Sequence, residues 1–144
     1  MNTTQNINLK AILSSLWLVY LLNVVFRDIH EFAIQETLEK LLTGTYFSVE
    51  PTQVLMLIGG ILASIPICMV FFSHVLPRRA NRWVNIIVAI LMIDIVVKGM
   101  HTDLDDYLHA GVEEAALLAV IWLAWRWQPS LSTVHQNEKQ MSSL

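Results

Sequence analysis

Histidines and carboxylates at helical spacing are the residues of this chain best suited to chemistry. His109 and Glu113 are four positions apart, so a helix presents both on one face, as two ligands of one metal ion require. His30 and Glu31 would supply further ligands from a facing helix. The sequence has no HExxH motif, and neighbouring cations oppose a metal ion, so a bound divalent metal is one interpretation among several.

The same side chains also suit proton transfer and ligand binding. Histidines and membrane-buried carboxylates titrate near neutral pH in suitable surroundings, so they can pass protons or act as acids on an amphipathic substrate. The residues that we expect to act in such catalysis are Asp94, His109 and Glu113. Steps of three and four along the chain add the following ligand-binding candidates: Asn23, Arg27, His30, Glu31, Lys98 and His101.

A structural interpretation of these charges needs no ligand. Arg27 would pair with Glu31 or Glu113, and Lys98 would pair with Asp94 one helical turn away. Ionisable residues at membrane depth usually face the interior of a bundle and pair with one another. Such buried ion pairs would fix the register of the helices, in a non-enzymatic membrane component that acts through partners or dimerisation.

Four apolar runs must position these polar residues. The 144-residue chain is 55% hydrophobic and 15% charged, which is too apolar for an ordinary soluble domain. A bilayer core about 30 Å thick needs about 20 apolar helical residues, and runs near that length lie at residues 9–30, 54–72, 83–100 and 107–127. We therefore predict an all-α, four-span transmembrane helical bundle, with one domain over residues 1–128 and a disordered cytoplasmic tail over 129–144.

The segments between the spans predict three further features. After the first span, apolar residues alternate with Glu36, Glu39 and Lys40, which indicates a short extracytoplasmic amphipathic helix that ends near Gly44. This helix would lie on the membrane surface or cover the bundle. In the loop before the third span, we expect Asn81 to cap the next helix. Before the fourth span, a solvated acidic loop is expected from Asp103, Asp105 and Asp106.

The distribution of charge predicts the orientation. Of the twelve acidic residues, all but Glu138 lie between Asp28 and Glu114, at one end of the four spans. The other end holds most of the basic residues: Lys10, Arg78, Arg79, Arg82, Arg126 and Lys139. Because cytoplasmic loops carry an excess of Lys and Arg, both termini are expected in the cytoplasm. Trp17, Trp83, Trp122, Trp125 and Trp127 are expected to anchor the cytoplasmic ends of the spans at the headgroup boundary.

Composition also limits the partners. A net charge of -3, without a basic patch that alternates with aromatic residues, argues against nucleic acid, and the single cysteine, Cys68, excludes a disulfide within the chain. The expected partners are the lipid bilayer and a small amphipathic ligand. Gly59, Gly60 and Ala63 are small residues that would permit close contact with another helix, which favours a homodimer as the alternative.

Several stretches together resemble a known family. They are Leu16–Leu18, Leu22–Asp28, Ile65–Met69, Asn81–Ile87 and, most specifically, the Leu-Pro-Arg-Arg-Ala-Asn-Arg-Trp-Val-Asn block that begins at Leu76. They resemble a family of small four-helix bacterial integral membrane proteins of unknown function, over roughly residues 16–127. The resemblance implies the four-helix fold and assigns no catalytic residue. We expect a multi-pass protein of the bacterial cytoplasmic (inner) membrane.

Overall fold

Helices form all the regular structure in the described part of the chain. A computed structural model describes residues 3–44, 52–99 and 104–127. These residues form five helices: α1 (Thr3–Ala33), α2 (Gln35–Leu42), α3 (Gln53–Val75), α4 (Arg78–Lys98) and α5 (Leu104–Arg126). The all-α prediction is confirmed. The tail that is expected to be disordered lies outside the described residues.

Four of these helices are long and apolar enough to cross a membrane: Ile7–Ala33, Gln53–Val75, Arg78–Lys98 and Leu104–Arg126. The four-span prediction is therefore confirmed. The third and fourth spans, α4 and α5, begin five and three residues earlier than predicted, because their charged first turns were excluded from the apolar runs. Pro77 precedes α4, and Asn81 N–H donates to the Pro77 carbonyl at 2.9 Å. Asn81 thus lies inside the helix, and its predicted role as a cap was wrong.

The first helix is central to the packing. α1 packs against both α3 and α5, and α4 packs mainly against α5. The contact between α3 and α4 is smaller, and no contact joins α3 to α5 within the described ranges. Leu13 and Trp17 of α1 lie in the apolar core with Met69 of α3, Met92 of α4 and Leu117 of α5. Consequently α3 packs mainly against α1, and a gap remains between α3 and the α4–α5 pair.

The short helix α2 follows the first span, as predicted. Ile34 is extended and separates α1 from α2, and Gly44 has a φ of 73°, a left-handed conformation that glycine adopts without strain. None of the α2 residues is buried, and among the described helices α2 contacts only α1. The Lys40 ammonium lies 2.6 Å from the Glu36 carboxylate, and this hydrogen bond and the charge of Lys40 lower the pKa of Glu36. The arrangement fits a helix lying on a surface, and α2 does not cover the bundle.

Basic and aromatic residues meet at the end of the bundle near the turn between α3 and α4. The Lys10 ammonium donates to the carbonyls of His74 and Leu76, at 3.0 and 2.8 Å, and so satisfies the end of α3. The Arg82 guanidinium lies 5.3 Å from the centre of the Trp125 ring. Trp83, Trp122 and Trp125 are exposed, as membrane anchors would be.

A buried network of neutral polar side chains connects α1, α3 and α4 in the interior of the same end of the bundle. Trp17 Nε1 donates to Asn85 Oδ1 at 2.7 Å, and Ser73 Oγ donates to the same oxygen at 3.3 Å. Asn85 Nδ2 donates to the Asn81 carbonyl, and Asn81 Nδ2 donates to the Ser73 carbonyl, at 2.8 and 2.7 Å. All four residues are completely buried. Trp17 therefore belongs to the core, as does the buried Trp127, and the prediction that both are membrane anchors was wrong.

Replacing Asn85 by leucine tests this network. The Asn85→Leu variant leaves the buried Trp17 N–H without its acceptor, so we expect a loss of about 2 kcal/mol or more in the free energy of unfolding. Unfolding in mixed detergent micelles measures the change. Asn8→Leu is the matched control, because Asn8 is exposed on α1 and its replacement should alter stability by less than about 0.5 kcal/mol. Equal stability of the two variants would contradict the assigned role.

Candidate functional site

Glu113 is a fully buried carboxylate in the contact between α1 and α5. Arg27 Nη1 lies 3.3 Å from each of its two oxygens, and Asn23 Nδ2 donates to Oε1 at 3.2 Å. The Arg27 side chain is 26% exposed, while that of Glu113 is 0% exposed. The structural interpretation is confirmed for this pair, since Arg27 contacts Glu113. The cation of Arg27 and the amide of Asn23 therefore compensate the lost hydration of the buried Glu113 carboxylate.

Asn23 also connects Glu113 to His109. Its Nδ2 donates to the His109 carbonyl at 2.8 Å, and its Oδ1 lies 2.9 Å from His109 Nδ1. Because an amide oxygen only accepts hydrogen bonds, Nδ1 of His109 must carry the proton. The neutral ring then has its lone pair on Nε2, which lies 3.7 Å from Asp105 Oδ1.

Asp105 brings the two histidines together. His30 Nδ1 lies 3.1 Å from Asp105 Oδ2, and the ring centres of His30 and His109 are 5.8 Å apart. One potential ligand atom from each of the three residues lies within 4.8 Å of the others. We call this group the His/Asp cluster. Among the described residues, it is the group with the spacing of a metal site.

The composition of this cluster differs from the predicted metal set. It contains His30 and His109 as expected, but it contains Asp105 in place of Glu31 and Glu113. The prediction of a solvated acidic loop was wrong for Asp105 and Asp106, since α5 begins at Leu104 and includes both, and Asp106 is buried. Asp103 lies outside the described residues. The four-residue spacing from Asp105 to His109 was the available signal, because residues at that spacing share a helix face.

The structure places the other described site candidates, Glu31, Asp94 and Lys98, outside the His/Asp cluster. Glu31 is half-buried on α1 and is not part of the His/Asp cluster. Asp94 and Lys98 form an ion pair on α4, with 2.8 Å between Nζ and Oδ2, so the predicted pairing is confirmed. Its predicted burial was wrong, because both side chains are more than half exposed. Neither residue belongs to the His/Asp cluster. His101 lies outside the described residues.

A cavity of about 360 Å³ lies between α1, α3 and α4 and reaches Glu113 of α5. Arg27, Asp28 and Glu113 form its charged end. The other walls are largely apolar and include Val24, Leu62, Ala63, Pro66, Ile67, Met92, Ile95 and Val96. A groove of about 690 Å³ along α3 is larger, but its lining has no ionisable group apart from Cys68. The smaller cavity therefore combines apolar volume with charge.

The ion pair can be tested by removing one partner or both. Arg27→Met leaves the Glu113 carboxylate buried without its cation, so we expect a loss of about 3 kcal/mol or more in the free energy of unfolding. The double variant Arg27→Met/Glu113→Met should lose less, because it leaves no buried charge unpaired. Unfolding in mixed micelles measures both.

Lys98→Met is the matched control for this pair. It breaks the exposed ion pair with Asp94, so it should cost less than about 1 kcal/mol. If Arg27→Met were no more destabilising than Lys98→Met, the burial of Glu113 would not depend on its cation.

Comparison with known proteins identifies the family of this chain. No curated protein and no solved structure matches it. Residues 4–133 match a family described as a family of unknown function, DUF6326. Four long apolar helices agree with the resemblance to a small four-helix membrane family without an established function. The chain therefore belongs to the DUF6326 family of unknown function.

Proposed function

We propose that this membrane protein binds a small amphipathic ligand in the cavity between α1, α3 and α4. The observation that carries the proposal is the composition of the cavity, which has three charged side chains at one end and largely apolar walls elsewhere. Ligand pockets are typically apolar with a few polar groups that fix orientation, and their volumes begin at about 300 Å³. A cavity of about 360 Å³ suits a small ligand or part of a lipid.

The charges at the end of the cavity favour a head group with both donors and acceptors. Arg27 contributes one cation, and Asp28 and Glu113 contribute two carboxylates. A simple anion would meet the guanidinium but also two like charges, while a zwitterion can satisfy both signs. We therefore propose a zwitterionic head group and a hydrocarbon tail.

The ligand would enter from the bilayer. Ile67 and Ile95 line the cavity and are 57% and 37% exposed, so this wall faces the surroundings of the bundle. Because α3 and α4 make limited contact, a gap remains between them, and Ile67 and Ile95 border this gap. Apolar side chains exposed on a membrane span face lipid tails, so a hydrocarbon chain can pass between them without meeting water.

Binding is a better supported role than catalysis at this cavity. Of the three residues expected to act as catalysts, Glu113 lines the cavity, while His109 and Asp94 do not. Acid catalysis on a ligand held there would depend on Glu113 alone, and that carboxylate contacts Arg27 and Asn23. We therefore propose a binding protein.

A second proposal is a non-enzymatic component that acts through partners or by dimerisation. Gly59 and Gly60 on α3 are exposed, and the space where their side chains would lie is open. Small residues allow close approach of a second helix in a membrane, which supports contact between two copies. Gly59 does not line the cavity, so the two proposals can be tested separately.

For orientation, we propose that the basic end of the bundle faces the cytoplasm of a bacterial inner membrane, with both termini on that side. The contacts of Lys10 and Arg82 at this end support the proposal, because cationic residues beside exposed tryptophans are typical of a cytoplasmic boundary. The charged end of the cavity and the His/Asp cluster would then face outward.

Filling the cavity tests the ligand proposal. Ala63→Phe puts an aromatic ring against the cavity wall, so we expect binding of lysophosphatidylethanolamine to weaken by about tenfold or more. Titration of the detergent-purified protein, followed by native mass spectrometry, measures the binding.

Ala115→Phe and Gly59→Leu are the controls. Both residues are exposed and lie outside this cavity, so both variants should bind the lysolipid as the wild type does. Unchanged binding by Ala63→Phe would refute the cavity proposal. Loss of binding in Gly59→Leu together with loss of a dimer would favour a site formed between two copies.

Cysteine labelling tests the orientation. In a Cys68→Ala background, Thr102→Cys should react with a membrane-impermeant maleimide added outside intact cells, because the loop between the third and fourth spans is expected to face outward. Ser132→Cys is the control for the opposite side and should react only after the membrane is opened. The reverse pattern would invert the proposed topology.

A further inference from the structure

We propose that the His/Asp cluster of His30, Asp105 and His109 binds a divalent transition-metal ion. The cluster joins the ends of two different helices, and each residue has a ligand atom within 4.8 Å of the others. Two imidazoles and one carboxylate make a donor set that suits Zn²⁺ and related ions better than Mg²⁺ or Ca²⁺. This site is separate from the cavity proposed to bind an amphipathic ligand, because none of its three residues lines that cavity.

The distances within the cluster are close to those of a tetrahedral zinc site. Zinc binds imidazole nitrogen and carboxylate oxygen at about 2.1 Å, which places two ligand atoms about 3.4 Å apart in a tetrahedron. His30 Nδ1 lies 3.1 Å from Asp105 Oδ2, and His109 Nε2 lies 3.7 Å from Asp105 Oδ1. Small rotations of exposed side chains therefore suffice to bring the donor atoms around one ion.

His109 is already oriented for coordination. Its Nδ1 donates to Asn23 Oδ1 at 2.9 Å, which leaves the lone pair of the neutral ring on Nε2. Metal-binding histidines commonly donate their other ring N–H to an oxygen that fixes tautomer and orientation, and Asn23 takes that place here. The side chain of His109 is 13% exposed, so its surroundings also restrict the ring.

The cluster is accessible and carries a suitable charge. The side chains of His30 and Asp105 are 61% and 46% exposed, so an ion can enter without opening the bundle. Asp105 contributes one negative charge to the cluster. The nearby cation Arg27, on the same helix as His30, forms an ion pair with Glu113, so its charge is compensated there. Three protein ligands leave a fourth zinc position for water or another ligand.

Calorimetric titration of the metal-free, detergent-purified protein with Zn²⁺ tests the proposal. We expect binding of one zinc ion per chain at this cluster that Mg²⁺ in excess does not displace. Asp105→Asn and His30→Ala should each weaken it by about tenfold or more, and because both side chains are largely exposed, the variants should keep the fold. His74→Ala is the matched control, because this exposed histidine lies on α3 outside the cluster and its loss should leave zinc binding unchanged.

The zinc titrations also distinguish this cluster from the cavity. Zinc affinity equal to that of the wild type in both Asp105→Asn and His30→Ala would overturn the proposal, as would displacement by Mg²⁺. The cavity variant Ala63→Phe should bind zinc as the wild type does, so failure of the ligand proposal and failure of the metal proposal give different results.

Discussion

The burial of Glu113 is the constraint on which the cavity end of the bundle depends. A carboxylate with no exposed surface loses its hydration, so the bundle must provide charge and hydrogen bonds in exchange. Arg27 and Asn23, both on α1, do so, and the helix register of α1 against α5 follows from their contacts. An apolar residue of similar volume would pack there without this requirement. The carboxylate therefore makes the contact between α1 and α5 specific, and it brings a charge to the wall of a cavity.

The two ends of the bundle are held together by different kinds of interaction. At the basic end, Trp17, Ser73, Asn81 and Asn85 form a neutral network that is completely buried. At the other end, Arg27, His30 and Asp105 are partly exposed around the buried Glu113, and a cavity lies between α1, α3 and α4. A fully satisfied neutral network makes a bundle rigid, while a cavity forfeits packing contacts. The protein thus has one tightly packed end and one end where binding is physically feasible.

The sequence predicted the spans well and the directions of the side chains less well. Bilayer thickness sets the length of an apolar helix, so four spans follow from composition. Helical spacing shows which residues share a face, but it does not show where that face points. The stripe through Asp94 and Lys98 therefore has the same pattern as the one through Arg27, although the structure leaves the first exposed and turns the second towards Glu113.

The errors at helix ends also have a physical cause. Polar residues that begin a helix have the same composition as a loop or a helix cap, so the sequence alone does not distinguish them. Asn81 is buried instead of capping α4, and Asp105 lies beside two histidines.

Asn23 transmits the effect of Glu113 to His109. The amide faces a carboxylate and a backbone carbonyl on one side, and both are acceptors, so its NH₂ group must point towards them. Its oxygen is thereby left for the histidine ring, and this oxygen accepts only from a protonated Nδ1. The Glu113 carboxylate thus determines the tautomer of His109 through Asn23. Nε2 is consequently the nitrogen that faces Asp105, and the arrangement of the cluster at the end of α5 follows from the charge buried one turn further along the same helix.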